Sequence, residues 1–213
     1  MNFSNDSINR LRDDVKERLS KERYIHTLGV ESLAKELGKV IIPEFLTELS
    51  VAALLHDIAK ELSTPDQLAL LASSGLSLTQ EDLDTLPALH SFAAIPVIRS
   101  CFAEYADENV LSAVYNHTLG NPGMSIFDEI IFIADYAESG RKYEACQEVN
   151  RYLSEHISPK NAPKENLMFL HNAVVQSINH TIESLAKRGK VINNRTLKTK
   201  EYFEKISNIP NYN

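Results

Sequence analysis

Residues 46–59, LTELSVAALLHDIA, carry apolar side chains on nearly every face of a helix and contain an adjacent His56-Asp57 pair. A helix that is apolar all round is normally buried inside a protein. Pro43 suits the first turn of such a helix, so the pattern predicts a central helix that ends near Ala59. This helix would bring an imidazole and a carboxylate into the core together.

Helical spacing of apolar residues and N-capping side chains continue on both sides of this stretch. Glycine is scarce at seven residues, tryptophan is absent, and no stretch shows the sustained alternation of a strand. The fold class is therefore predicted to be all-α, in a single domain over 1–213 with a core over about 20–190 and a polar, partly extended segment over 191–213. Further helices are predicted over 8–19, 25–38 (closed by Gly38), 64–71 (capped by Thr64), from 79, 87–104 (kinked or interrupted near Pro96), 107–117, from 125, 143–153 and 163–187.

The charge balance limits the classes of partner. The chain has 22 basic and 29 acidic residues, a net charge of -7. A general nucleic-acid binder needs basic residues that neutralise phosphates, so we predict no nucleic-acid partner. A small polyphosphate ligand stays compatible with this balance, because a metal and a few Lys or Arg residues can create a local positive site.

The sequence also indicates a cytoplasmic protein. Residues 1–20 are highly charged and lack the apolar region of a secretory signal, and no apolar run approaches the ~18 residues of a membrane span. Cys101 and Cys146 are far apart and in no zinc-binding spacing, which predicts two buried free thiols in a reducing compartment. No membrane partner is expected, and a homodimer is left open.

Three further segments could complete a metal site around His56 and Asp57. A buried carboxylate beside a buried imidazole is costly unless an ion or a hydrogen bond between them compensates. His26 and Asp135 stand in otherwise apolar helices, and His117 ends a helix before the loop LGNPG. A mixed imidazole and carboxylate shell suits Fe, Mn or another hexacoordinate transition ion, and the lack of a Cys ligand argues against structural zinc.

The order of these residues resembles the HD superfamily of metal-dependent phosphohydrolases, named for its adjacent His-Asp pair. The resemblance narrows to the bacterial symmetrical bis(5'-nucleosyl)-tetraphosphatase family, which splits diadenosine tetraphosphate into two ADP. It implies a single-domain HD-type helical bundle with a buried metal site, and covers about 23–141. The pair alone is weakly specific, whereas four segments in this order are strongly specific: RYIHTLGV (23–30), AALLHDIAKEL (52–62), LGNPGMS (119–125) and ADY (134–136) with Arg141.

The resemblance also implies roles for individual residues. It implies one or two iron ions, with Mn or another divalent transition metal as the alternative, and a nucleotide polyphosphate substrate attacked at an inner phosphorus by metal-activated water. The implied metal ligands are His26, His56, Asp57 and Asp135. The implied catalytic residues are Asp57, Lys60, His90 and His117, the last two facing the phosphates or holding a second metal. The implied substrate-binding residues are Arg23, Lys60, His90, His117, Arg141, Arg195 and Thr196.

Three of these side chains suggest their own chemistry. Lys60 lies three positions after Asp57 and could neutralise the departing phosphate. Arg141 can grip phosphate oxygens bidentately. His117, next to a glycine-containing loop that lets backbone approach a ligand, could donate a proton to the leaving group or hold it.

The chain departs from the family pattern in three places. His90 precedes the stretch SFAA (91–94) instead of a glycine-containing stretch, and Ala137 and Ser139 replace the usual Ile and Pro. Two asparagines (193–194) stand where a His-Pro pair is expected before Arg195 and Thr196. These changes bear on substrate fit more than on the metal ligands.

Other functions stay open on the sequence alone. The same fold could serve a nucleoside monophosphatase, a cyclic-nucleotide phosphodiesterase or an oxygenase with paired irons. A non-catalytic metal or nucleotide sensor is a further alternative. A ferritin-like di-iron bundle is disfavoured, because the chain has no Glu-x-x-His repeat.

Overall fold

This computed structural model describes residues 3–207, which contain eleven α-helices, three short 3₁₀ helices and no strand. The predicted all-α class is confirmed. Within the same residues, no helix is long and apolar enough to span a membrane. The helices are α1 (Asn5–Arg18), α2 (Lys21–Ile41), α3 (Leu46–Leu55), α4 (Thr64–Ser73), α5 (Gln80–Asp84), α6 (Leu89–Cys101), α7 (Glu108–Asn116), α8 (Ile126–Ala137), α9 (Glu144–His156), α10 (Pro163–Lys187) and α11 (Asn194–Ile206), with 3₁₀ helices at Pro43–Phe45, Leu86–Ala88 and Ala103–Tyr105.

Helix α3 is the central helix that the sequence predicts, but it is shorter at both ends. Residues 48–55 are all buried, and the helix packs against α1, α2, α7 and α8. Its predicted first turn is a separate 3₁₀ helix, Pro43–Phe45, since the preceding Ile42 has a non-helical backbone. The buried position of α3 is what places its C-terminal end at the centre of the molecule.

The predicted helical end near Ala59 is wrong, because α3 stops at Leu55. His56 and Asp57 lie in the turns that follow. The amide of Ile58 donates to the Leu55 carbonyl at 3.2 Å, and the amide of Lys60 donates to the Asp57 carbonyl at 2.9 Å. Bonds between residues three apart are tighter than those of an α-helix, so the chain turns where the His-Asp pair sits.

The prediction that Gly38 closes the second helix is also wrong. Helix α2 continues to Ile41, and Gly38 is buried against α3. A Cβ atom at Gly38 would meet Cδ1 of Leu49. Glycine at this position allows two helices to approach closely and does not provide a left-handed turn.

Capping side chains fix where the helices begin. Ser63, rather than the predicted Thr64, caps α4 by accepting the amide of Asp66. Helices α5 and α8 begin after Thr79 and Ser125, as predicted, and each start is a capping box.

Helix α6 runs through Pro96 to Cys101, so the predicted interruption at the proline does not occur. Cys101 lies on the outer side of the last turn of α6 and is therefore exposed. The prediction of a buried thiol at Cys101 is wrong. Cys146 is buried as predicted.

The C-terminal segment is helical where it was expected to be partly extended. Helix α11 places Phe203 in a second apolar cluster with Val174 and Ile178 of α10, and this burial holds the helix in place. Residues 1–2 and 208–213 lie outside the described residues. The division of the chain as one domain over 1–213 stays a prediction.

A buried acid–imidazole pair joins α8 to α10. Nδ1 of His171 lies 2.7 Å from Oε2 of Glu129, whose side chain is almost wholly buried. Burial raises the pKa of the Glu129 carboxyl above its usual 4.5, and the bond with His171 opposes this only in part.

The raised pKa of Glu129 predicts a pH-dependent loss of stability. The folded protein binds a proton there that the unfolded chain has already lost, so the free energy of unfolding falls as the pH rises from about 4.5 through the folded-state pKa. Glu129→Gln cannot ionise, so we expect its unfolding free energy in urea to fall less over this range than that of the wild type. The exposed Glu155→Gln should follow the wild type, and parallel curves for wild type and Glu129→Gln would contradict the prediction.

Candidate metal centre

Six side chains from five segments of the fold converge at one point. All six are site residues predicted from the sequence. Four of them, His56, Asp57, His90 and His117, are at most 2% exposed. They are His26 of α2, His56 and Asp57 after α3, His90 in the first turn of α6, His117 at the end of α7 and Asp135 near the end of α8.

The carboxylate of Asp57 lies between two pairs of imidazoles. Its Oδ2 is 3.5 Å from Nε2 of His56 and 4.0 Å from Nε2 of His26. Its Oδ1 is 3.2 Å from Nε2 of His90 and 3.7 Å from Nε2 of His117. Each oxygen therefore faces a different pair, which is the geometry of a carboxylate that can bridge two neighbouring ligand sets.

Asp135 lies beside the two histidines that face Oδ2 of Asp57, and it also groups with His56 and His117. Its Oδ1 is 3.0 Å from Nε2 of His26 and 3.7 Å from Nε2 of His56. The four side chains implied as ligands by the family resemblance thus lie together. His90 and His117 form the second set with Asp57.

Three of the histidines are oriented by the same backbone contact. In His56, His90 and His117, Nδ1 lies 2.7 to 2.9 Å from the carbonyl oxygen of the residue three positions earlier. A carbonyl only accepts hydrogen bonds, so Nδ1 carries the proton and Nε2 keeps its lone pair. Each Nε2 faces the centre, which is the tautomer that a metal ligand requires.

The charges of the centre also suit metal binding. Burial lowers the pKa of His56 and of His90 to about 4, so both are neutral near pH 7. Burial alone would raise the pKa of Asp57 and of Asp135, but the imidazoles around each carboxylate hold its pKa well below the usual range. Neutral imidazoles and ionised carboxylates are the protonation states that coordinate a cation.

The buried nitrogen atoms and carboxylates of this centre fit a bound cation. His26 has Oε1 of Glu138 at 3.2 Å from Nδ1 and Oδ1 of Asp135 at 3.0 Å from Nε2. Nε2 of His26 and Nε2 of His56 are buried without a hydrogen-bond partner among the described residues. A mixed imidazole and carboxylate set of this kind fits a divalent transition metal.

Three predicted substrate-binding cations border the centre. Arg23 Nη1 is 2.7 Å from Oδ2 of Asp57, and Arg141 Nη2 is 2.6 Å from Oδ1 of Asp135. Lys60 Nζ lies 3.1 and 3.2 Å from the two ring nitrogens of His90, and burial lowers its pKa. Both arginines also line a cleft of about 400 Å³ that reaches His26, so the centre opens to solvent on their side.

The structure does not bring Arg195 and Thr196 to this centre. The Arg195 guanidinium donates to Asp82 at 2.9 Å and lies over the Tyr115 ring, and it lines a separate cavity. Thr196 donates to the Leu119 carbonyl at 3.1 Å, so it supports the loop after His117. Their role in substrate binding stays a prediction.

Sequence reasoning missed Glu138, which lies behind His26. The buried carboxylate accepts from Nδ1 of His26, and the amide of Gly140 donates to its Oε2 at 2.5 Å. A Cβ atom at Gly29 would meet this carboxylate, so glycine on α2 leaves room for it. The signal was present in the sequence as a carboxylate three positions after Asp135, but pairing it with His26 needs the packing of α8 on α2.

Glu138 is expected to tune metal affinity without touching the metal. A carboxylate on the far nitrogen of a ligating imidazole fixes the ring and raises its basicity, and its loss typically costs about 10- to 100-fold in affinity. We expect Glu138→Gln, and Gly29→Ala through displacement of the same carboxylate, to weaken Mn²⁺ binding by about this factor in a chelator competition. The exposed Glu155→Gln is the matched control. Wild-type affinity in both variants would contradict a positioning role.

The comparisons with known proteins agree with this geometry. The HD domain family model matches residues 23–140. The chain is 30% identical to the symmetrical bis(5'-nucleosyl)-tetraphosphatase of Bacillus subtilis, over 84% of this chain and 87% of that protein. It is 31% identical to the protein of the same name from Halalkalibacterium halodurans, over 87% of this chain and 90% of that one.

A solved structure gives the same result for the fold. It is described as a predicted HD superfamily hydrolase involved in NAD metabolism from Clostridium acetobutylicum, and it superposes with a TM-score of 0.79 at 27% identity, over 97% of this chain and all of that one. The predicted family resemblance is confirmed. The family model covers more than half of the chain, and the relatives align along most of their own length. This protein therefore belongs to the HD domain family of hydrolases.

Proposed function

We propose that this chain is a metal-dependent phosphohydrolase that cleaves diadenosine tetraphosphate symmetrically into two ADP. The observation that carries the proposal is the carboxylate of Asp57 between two imidazole pairs, next to a cleft lined by arginines. The names of the two relatives above support the choice of substrate. Water would attack an inner phosphorus, the bond from that phosphorus to the central bridging oxygen would break, and one ADP would leave.

The residues divide into those that hold the metal and those that meet the phosphates. His26, His56, Asp57 and Asp135 would hold one ion, and Asp57 with His90 and His117 would hold a second. A divalent transition metal bound there supplies Lewis acidity, which polarises a phosphoryl oxygen and makes a nucleophile available near neutral pH. We propose iron as the metal, in line with the family resemblance.

His117 is better suited to bind a cation than to donate a proton. Its Nδ1–H donates to the carbonyl of Val114 at 2.7 Å, which leaves Nε2 as the nitrogen that can offer a lone pair to a cation. Lys60 is the better proton donor toward the leaving phosphate, since it carries hydrogen-bond donors beside His90 and its pKa is lowered by burial.

The three cations at the centre favour a charged substrate with several phosphates. Arg23 and Arg141 each donate a hydrogen bond from one guanidinium nitrogen to a carboxylate of the proposed ligand set. For Arg141, the bonds within the described residues use Nε and Nη2, so Nη1 is the part of the fork that can meet a phosphate oxygen. These positions neutralise charge on a phosphate chain entering the cleft.

A product assay tests the proposal. Mn²⁺- or Fe²⁺-loaded protein is incubated with diadenosine tetraphosphate in H₂¹⁸O, and ion-exchange chromatography with mass spectrometry identifies the nucleotides. We expect ADP alone, with one labelled oxygen for each pair of ADP molecules. AMP with ATP would exclude symmetrical cleavage, and absence of turnover with metal bound would favour a sensor.

A second candidate substrate is another nucleotide, cleaved either at a phosphoanhydride or at a phosphate ester. The Clostridium structure is described as involved in NAD metabolism, so the same assay includes NAD and mononucleotides. If one of these nucleotides has a larger kcat/KM than diadenosine tetraphosphate, that nucleotide is the better candidate for the substrate. We also propose a cytoplasmic location and leave a homodimer to be tested by light scattering.

A further inference from the structure

An exposed aromatic side chain stands on the outer part of the cleft. Tyr143 is 78% exposed and lines the same cleft as Arg23, His26 and Arg141. It lies two residues after Arg141, immediately before α9, so it is close to the proposed phosphate path. A large exposed ring beside a charged cleft is a candidate surface for stacking.

Charged side chains of both signs line the cleft. Arg23, Arg141 and Lys142 supply positive charge, which suits phosphates. Glu22 and Glu61 line it as well, and they would repel a phosphate chain lying against them.

Carboxylates at such a position suit the uncharged part of a nucleotide. They accept hydrogen bonds from ribose hydroxyls. Oε2 of Glu61 accepts the amide of Ser20 at 2.6 Å, which holds this carboxylate in place on the rim.

We infer that the outer cleft is a nucleoside subsite, in which the base stacks on Tyr143, the ribose faces Glu22 and Glu61, and the attached phosphates run past Arg141 toward the metal centre. The inference rests on the proposed function, since it places one ADP half of the substrate. It assigns base recognition to stacking, so the site accepts different bases with similar affinity.

The affinities of ADP and of inorganic pyrophosphate for the Mn²⁺-loaded protein distinguish the contribution of the tyrosine ring from that of the phosphate contacts. Alanine in place of an aromatic ring that stacks on a base typically costs about 5- to 150-fold in affinity. We expect Tyr143→Ala to weaken ADP binding by a factor in this range in calorimetry and to leave pyrophosphate binding unchanged. Tyr143→Phe should bind ADP like the wild type, because it keeps the ring.

Tyr202→Ala, which removes a partly exposed tyrosine on α11, is the matched control and should change neither affinity. Unchanged ADP binding in Tyr143→Ala would overturn the inference, and so would an equal loss of pyrophosphate binding. Wild-type protein that binds ADP no better than pyrophosphate would overturn it as well. If ADP binding depends on the ring while diadenosine tetraphosphate is not cleaved, the subsite stands and the proposed function falls.

Discussion

Asp57→Ala is expected to abolish turnover and to remove metal from the protein. The carboxylate of Asp57 faces Nε2 of His56 with one oxygen and Nε2 of His90 with the other. Alanine therefore removes a ligand from both proposed sets at once and takes away the negative charge that lies between them. Metal analysis of the purified variant and its turnover of diadenosine tetraphosphate check the two effects together.

The fold of this variant must be shown to be intact. Asp57 also accepts from Arg23 at 2.7 Å, and a partly buried charge that loses its partner can destabilise the folded protein. Circular dichroism and the urea midpoint should therefore be compared with those of Asp14→Ala, which removes an exposed carboxylate on α1. A folded Asp57→Ala protein that retains metal and wild-type turnover would exclude the proposed centre.

The sequence was sufficient to pick out the side chains that converge at the centre, because their surroundings are unusual in composition. Asp57 and Asp135 stand out because each closely follows an apolar stretch (51–55 and 130–134), and a buried charge needs a partner. The central position of α3 follows from the same reasoning, since a helix without a polar face has to be buried. These inferences depend on local patterns, which a single sequence contains.

The features that were missed or wrong depend on contacts between distant segments. Gly38 resembles a C-cap by its position, but its neighbour is Leu49 of the next helix. Glu138 follows Asp135 by three residues, yet its partner His26 is 112 positions away. The end of α3 at Leu55 is set by the turn that holds the site, which helical periodicity alone does not show.

The backbone contacts of the histidines were also beyond sequence reasoning. Each of His56, His90 and His117 bonds to a carbonyl three residues earlier. The carbonyls of Ala53 and Val114 lie in the last turns of α3 and α7, and that of Pro87 lies in the 3₁₀ helix before α6; carbonyls near a helix end remain available to side chains. The tautomer that exposes Nε2 to the centre is thus a consequence of where the helices begin and end.

Lys60→Met and Arg141→Ala are expected to weaken catalysis while the metal stays bound. Neither side chain belongs to the proposed ligand set, and each contacts a member of it: Lys60 lies against His90 and Arg141 against Asp135. A charge-assisted hydrogen bond to a phosphate is typically worth about 1.5–3 kcal/mol, which corresponds to a loss of about ten-fold to somewhat more than a hundred-fold in kcat/KM.

The two variants should differ in whether the loss of kcat/KM comes from a higher KM or from a lower kcat. Arg141 can meet substrate through Nη1 before and during the reaction, so its removal should raise KM, and Arg141→Lys should recover little because it lacks the planar fork. Lys60 would neutralise charge that develops on the leaving phosphate, so its removal should lower kcat more than it changes KM. Lys16→Met, an exposed change on α1, is the control, and metal content is measured in every variant. If both residues were merely solvated side chains at the rim, their kinetics would match this control, and the polyphosphate-binding role would have to be abandoned.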